Sequence, residues 1–361
     1  MPDGCGGTIS SRVMRCVNPV DLTVGVNEAS DLLPVHSSEL LAARGWRRAF
    51  WTTLDEGPVE ECVALLGLPE GEADDGHWQA ELLSADAGRE TGRTEDGEAL
   101  AYRDGYVYVF GSHFGSKRGP LRPRRAFVAR FREEEAIAGV TRLEVVRNKF
   151  RFHRAINDAL AAANIQPLKP GSEVNKRFIV ETIERGRQRG KRWISRITEG
   201  DLPINIEGTA FTPDGSLLVG LRFPVTEQGE PLIIELADVE ELFHSSGLPT
   251  VKRVFRLTGV TPPGTLTGIR GMSVRPDGTV DAVVGSIDAL GKRSVLLDEH
   301  PEGGDVECRH VRFQPPVSGD AVEAEVIREL TGFHNVEGVA EVDGETYYVT
   351  DEDHRVALWV A

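Results

Sequence analysis

Carboxylates recur at matched places in this chain, and such groups, gathered at one point, bind cations or move protons. Four stretches share an acidic signature: Asn27-Glu28-Ala29-Ser30, Asp96-Gly97-Glu98-Ala99-Leu100-Ala101, Asn205-Ile206-Glu207-Gly208-Thr209-Ala210 and Asn335-Val336-Glu337-Gly338-Val339-Ala340. A fifth copy, Gly268-Ile269-Arg270-Gly271-Met272-Ser273, keeps the frame with Arg in place of Glu. A second set of polar residues follows at a regular offset: His113 and Arg222 lie 15 positions after Glu98 and Glu207, and Asp351 lies 14 after Glu337. Asp55, in Thr52-Thr53-Leu54-Asp55-Glu56, ends the corresponding run of the first copy. If these stations face one another, Glu28, Glu98, Glu207, Glu337, Asp55 and Asp351 form an oxygen-rich set of the kind that suits Ca²⁺. Such a set is self-repelling unless protonation, a bound cation, or Arg222 and Arg270 relieve it. Glu207 or His113 is then a candidate general base, with Arg222 and Arg270 holding an anionic ester.

The elements that would converge them are hairpins. Asp104-Gly105, Pro213-Asp214-Gly215, Pro276-Asp277-Gly278 and Asp343-Gly344 each separate two β-prone runs, a strong hairpin signal. Further strands are predicted at 125–131, 232–236, 251–257, 294–297 and 306–313. About four strands per repeat is the content of a propeller blade. The marker spacings of 70, 109, 63 and 67 residues, with the chain ends joined to close a last blade, predict an all-β, five-bladed β-propeller. Six blades, one of them degenerate, is the alternative. The long interval holds two stretches of helical periodicity, Phe152 to Ala163 and Glu173 to Arg189, read as an insertion around residues 151–189 of a single domain spanning 1–361. Val13 to Val17 is expected to pair beside the last strand, His354 to Val360, and so cover a sheet edge. Pro69 to Arg93 reads as a polar surface loop.

Bulk properties narrow the partners. A formal charge of −16 argues against nucleic acid, whose phosphates need a basic surface. No run reaches the roughly 20 apolar residues of a membrane span. Met1 to Thr23 lacks a basic-then-apolar leader, and Cys5, Cys16, Cys62 and Cys308 show no paired spacing, so a reducing, cytoplasmic setting is expected. Zinc-finger spacing, EF-hand loops, phosphate-binding Gly-rich loops and nucleophile elbows are absent from the sequence.

Each candidate has a plainer reading. A Glu at the start of a blade can accept backbone N–H groups of the next blade. His113 can be a satisfied core residue, and Arg270 a counter-ion for its neighbours. The run His113 to Arg125 carries five Lys and Arg side chains, which either gather an anionic substrate over the channel or balance local acid.

The combination Asp-Gly-Glu-Ala-Leu-Ala with Gly-Ser-His, Asn-Ile-Glu-Gly with Gly-Leu-Arg, Ile-Arg-Gly, and Val-Glu-Gly with Thr-Asp-Glu resembles a bacterial β-propeller domain family without a settled activity, over roughly residues 24–360. More distantly it is similar to the esterase-like phytases, a resemblance that implies Ca²⁺ and phosphoester chemistry. The leading expectation is a divalent-cation-dependent hydrolase of an anionic ester or phosphoester at the central channel. The alternatives are a non-catalytic platform for a protein partner or small ligand, docking at the helical insertion, and a lactonase or lyase at the same site.

Overall fold

The computed structural model describes residues 14–16, 28–54, 57–244, 246–289, 293–352 and 355–361. Asp55 and Asn27 lie outside them. The predicted hairpins are present and each extends into a blade. Blade 1 comprises Ala29–Pro34, Trp46–Leu54, Val63–Pro69 and Gln79–Leu82. Blade 2 comprises Gly97–Arg103, Tyr106–Gly111, Phe127–Arg132 and Glu144–Arg147. Blade 3 comprises Asn205–Phe211, Leu217–Phe223, Leu232–Ala237 and Thr250–Thr258, and blade 4 Thr267–Val274, Val280–Ser286, Arg309–Phe313 and Glu325–Glu329. Blade 5 joins Val336–Val342, Glu345–Glu352 and Arg355–Val360 to Arg15–Cys16 from the other end of the chain. Arg15 pairs with Val360 and Cys16 with Trp359. The first strands of successive blades pack against one another in a closed cycle, with blade 5 returning to blade 1. The chain is a β-propeller.

Turn chemistry follows residue type. Asp104-Gly105 and Asp343-Gly344 are left-handed at both positions, as a two-residue type I′ hairpin requires. After Pro213 and Pro276 only the glycines, Gly215 and Gly278, have positive φ, so these hairpins use the longer turn that ends in a left-handed glycine.

Every first strand carries a register break at the signature position. The shift falls between Gly97 and Ala99, Ile206 and Gly208, Ile269 and Gly271, and Val336 and Gly338. Glu98, Glu207, Arg270 and Glu337 are therefore the extra residues of β-bulges, a device that re-aims a side chain out of the ladder. In blade 1 the shift spans Ser30 to Leu33, which makes Asp31 the equivalent residue. The bulge residue of blade 1 thus lies three positions after Glu28. The glycine after the bulge permits close approach of the next blade. A Cβ on Gly338 would lie 2.6 Å from the Leu32 nitrogen, and one on Gly271 would lie 2.4 Å from the Glu337 carbonyl oxygen.

Two predicted elements differ. Ser294 to Leu297, read as a strand, begins the short helix Val295–Glu299, because the Ser294 hydroxyl caps it by accepting the Leu297 N–H at 3.1 Å. Pro69 to Arg93, read as a loop, supplies the outer strand of blade 1 and buries Trp78 against Phe50 and Tyr347, with ring centroids 5.6 Å apart in both contacts. The insertion is helical as expected: Arg151–Ala162, then a continuous run through Ser172–Val174, Asn175–Val180 and Glu181–Gln188 whose middle segment is a π-helix. Among the described residues no helix is long and apolar enough to cross a membrane.

Candidate functional site at the channel mouth

A cavity of about 630 Å³ opens where the first strands begin and the second strands end. It gathers Glu28, Glu98, Glu207, Glu337, Asp351 and Arg222 from the nominated residues. Asp96, Arg125 and Asp288 also line it. Asp55 falls outside the described residues, and Arg270 lies behind the lining, 2% exposed and in contact with two of the carboxylates.

Arginine neutralises the carboxylates. Arg222 Nη1 donates to Glu207 Oε1 at 2.7 Å and Arg222 Nε donates to the Ser286 carbonyl at 3.0 Å. Arg270 Nη2 donates to Glu337 Oε1, and its Nε stands 3.9 Å from Glu207 Oε2. Arg125 Nη1 meets Asp96 Oδ1 at 2.7 Å, while the Ser112 hydroxyl donates to Asp96 Oδ2. Burial pushes the Glu337 carboxyl well above the ordinary range, with Arg270 opposing and Glu207 reinforcing the rise. Asp96 is raised by burial against the pull of Arg125. Burial alone would lower Arg222, but Glu207, Glu337 and Asp288 together raise it, so it stays charged.

His113 does not join this group. Its backbone is left-handed, φ 62°, which turns the ring into the protein, where it is fully buried. Nδ1 lies 2.7 Å from the Gly111 carbonyl oxygen, Nε2 is 2.5 Å from the Asn148 amide nitrogen, and Phe152 packs beside the ring. Burial pushes its pKa down to about 4, so the imidazole is neutral at pH 7. Both ring nitrogens are engaged away from the cavity, which leaves no geometry for a base. Ser112, one residue earlier, occupies the rim instead. The basic run is divided as well. Lys117, Arg118 and Arg125 line this cavity, whereas Arg122 lines a different one.

Several of the carboxylates nominated as calcium ligands have guanidinium partners. Among the described residues no three His, Cys, Asp or Glu side chains are grouped as metal ligands. Guanidinium groups face three of the carboxylates, Arg222 at Glu207, Arg270 at Glu337 and Arg125 at Asp96. Instead the site presents buried atoms without hydrogen-bond partners: Glu207 Oε2 and Asn205 Oδ1 as acceptors, and Arg222 Nη2 as a donor. Such orphaned groups call for an occupant with both hydrogen-bond polarities.

The fold and this cavity define a β-propeller whose channel mouth is ringed by carboxylate–arginine pairs. No family model matches the chain, and no curated protein matches its sequence. Solved structures are similar to it. One is a thermostable family-43 glycoside hydrolase (11% identity, TM-score 0.43, covering 96% of this chain and 92% of that one). Another is a mannose phosphorylase from Leishmania mexicana (11%, TM-score 0.40, 96% and 88%), and a third a glucose dehydrogenase (12%, TM-score 0.35, 95% and 84%). These likenesses carry no chemistry to this chain, and its fold rests on its own sheets.

Proposed function

We propose that the chain is a hydrolase of small anionic esters, with the reaction at the channel mouth. The observation that carries this reading is Glu337: a carboxyl at the wall of a charged cavity, raised by burial well above its ordinary range, with the guanidinium of Arg270 beside it. A carboxyl that holds its proton more tightly than an ordinary one is suited to giving that proton to a leaving oxygen. Arg222, with a free Nη2, holds the anionic group, and Lys117 and Arg118 on the rim draw it in. Glu207 fixes the Arg222 guanidinium and approaches Arg270 with its second oxygen. In the reaction water adds to the acyl carbon or phosphorus, the ester C–O or P–O bond breaks, the leaving alkoxide takes the Glu337 proton, and the proton released by the attacking water returns to Glu337 through solvent. A phosphoester, the class implied by the resemblance to esterase-like phytases, is a substrate of this kind, as is a lactone that carries an anionic group.

A second reading, capture of an anion without turnover, is favoured by the pairing of Glu207 with Arg222 and Arg270, which engages that carboxylate with guanidinium groups rather than with a water. A panel of phosphomonoesters and lactones, run with the wild type, Glu337→Gln and Arg222→Met, separates the two. Hydrolysis predicts turnover that Glu337→Gln lowers by about 10²–10⁴ and Arg222→Met weakens mainly through KM. Ester binding without turnover would establish the second reading, and turnover undiminished in Glu337→Gln would remove the acid from the mechanism.

A further inference from the structure

A second cavity, of about 730 Å³, lies against the helical insertion. It is formed by the turn 119–123, by Arg147 and Lys149, and by residues 182–196 around the end of the helix Glu181–Gln188. Eight of its fifteen lining residues are Lys or Arg and none is Asp or Glu, in a chain whose formal charge is −16. The cations come from three separate stretches of sequence, so folding rather than one basic run assembles them.

Some of these charges already have partners. Arg122 meets Glu95 at 2.9 Å, Arg147 meets Glu90 at 2.5 Å, and Arg185 meets Glu181 at 3.4 Å. Lys149, Arg189, Lys191 and Arg192 make no side-chain hydrogen bond or ion pair among the described residues. Cations near a helix C-terminus complement its dipole by about 0.3–1 kcal/mol each, which accounts for Arg185 and Arg189. It does not account for Lys149, which another element brings to the same hollow.

Lys149 is held there at a cost. It and Phe150 are consecutive left-handed residues, φ 49° and 70°, and neither is glycine. Such positions cost on the order of 1–3 kcal/mol each and persist only where surrounding structure enforces them. Here Arg196 Nη1 donates to the carbonyls of Asn148 and Lys149 at 3.1 and 2.9 Å, and buried Phe150 packs edge-on against Trp193 with centroids 4.9 Å apart. Two residues lining the groove, Arg196 and Trp193, thus hold the turn that presents a third.

We infer that this groove binds a compact anion carrying two or more phosphate groups, with Lys149, Arg189, Lys191 and Arg192 as its charge partners. Four uncompensated like charges in one hollow repel one another, and a multivalent anion relieves all of them together. Guanidinium forks match phosphate oxygens in pairs. The hollow is open to solvent but bounded by three separate stretches of chain, which suits a small molecule, and the chain's net charge of −16 disfavours a long polyanion. The inference is independent of the channel-mouth reaction, although the loop 112–125 walls both cavities.

Isothermal titration of the full chain with tripolyphosphate at about 50 mM salt tests it, with inorganic phosphate and a single-stranded oligonucleotide as comparison probes. One tripolyphosphate should bind per groove, at least about tenfold tighter than phosphate. Lys149→Ala/Arg192→Ala should weaken binding by about tenfold or more, whereas Arg222→Met in the channel should leave this event unchanged. Arg189→Ala/Arg192→Ala, confined to exposed positions after the helix, supplies the same test should the Lys149 turn prove sensitive. No tripolyphosphate binding, equal affinity for the two phosphates, or loss in Arg222→Met with retention in the groove variants would each overturn the assignment. Tighter, cooperative binding of the oligonucleotide would overturn it too, in favour of a nucleic-acid surface.

Discussion

Arg270 crosses a blade boundary to donate to Glu337, and the same guanidinium comes within 3.9 Å of Glu207. The single cation among the bulge residues therefore stands between the carboxylates of its two neighbouring blades. Removing one member of such a buried group leaves the others uncompensated, which costs about 3–5 kcal/mol. Arg270→Met should lower stability by that order in denaturant unfolding. Arg270→Met/Glu337→Met should recover part of the loss, because an apolar pair of similar volume carries no stranded charge. Equal stability of wild type and Arg270→Met would mean that the group is solvated in solution.

Asp31 predicts a pH dependence. Its carboxylate accepts the Leu32 N–H at 2.8 Å and the Leu100 N–H at 2.6 Å, stapling blade 1 to blade 2. Burial dominates these two bonds and raises its pKa from the ordinary 3.8 to about 8. Below pH 3.8 the group is protonated folded or unfolded, and its full contribution is present. As pH rises toward 8 the unfolded chain ionises first, so stability falls, by at most about 1.4 kcal/mol per pH unit. Denaturant midpoints between pH 4.5 and 8.5 should decline more steeply in the wild type than in Asp31→Asn. Parallel profiles would show that Asp31 is already ionised in the folded chain.

The glycines after the bulges should not be equivalent. A Cβ on Gly338 meets the backbone of Asp31 and Leu32, which cannot withdraw, whereas one on Gly208 meets first the side chains of Ile269 and Met272 at 2.9 Å. Gly338→Ala should cost about 1–3 kcal/mol and Gly208→Ala less, as read from thermal midpoints. The reverse order would contradict the packing between blades 5 and 1.

Arginine neutralisation predicts indifference to calcium. A bound ion at a hundredfold its Kd would stabilise the fold by about 2.7 kcal/mol, a shift of several degrees in Tm. Chelator and added Ca²⁺ should leave Tm unchanged. A rise restored by Ca²⁺ alone would return the carboxylates to the ligand role that their sequence pattern suggested.

Legibility in the sequence followed periodicity. The Asp-Gly turns, the run of strands and the acidic signatures report local chemistry, so the blades and six charged residues of the cavity wall, Glu28, Glu98, Glu207, Glu337, Asp351 and Arg222, are legible directly. What failed depended on a single backbone angle or an inserted residue. His113 shares the 15-residue offset of Arg222, but its positive φ turns it into the core, and spacing carries no sign of φ. Asp31 was missed because Leu32 replaces the glycine that marks the bulge in blades 3, 4 and 5. The Asp96–Arg125 pair joins the start of one strand to a loop 29 residues away, beyond any hairpin register. The basic hollow beside the insertion was invisible for the same reason, since only folding brings Lys149 to Arg192.

The bulges also say how such a site can change. A residue that no neighbouring strand pairs with can be exchanged while the ladder beside it stays intact. This chain already displays that freedom, carrying Asp, Glu and Arg at one structural address in different blades. At that address Glu98, Glu207 and Glu337 face the cavity, whereas Asp31 and Arg270 lie behind it and tie one blade to the next.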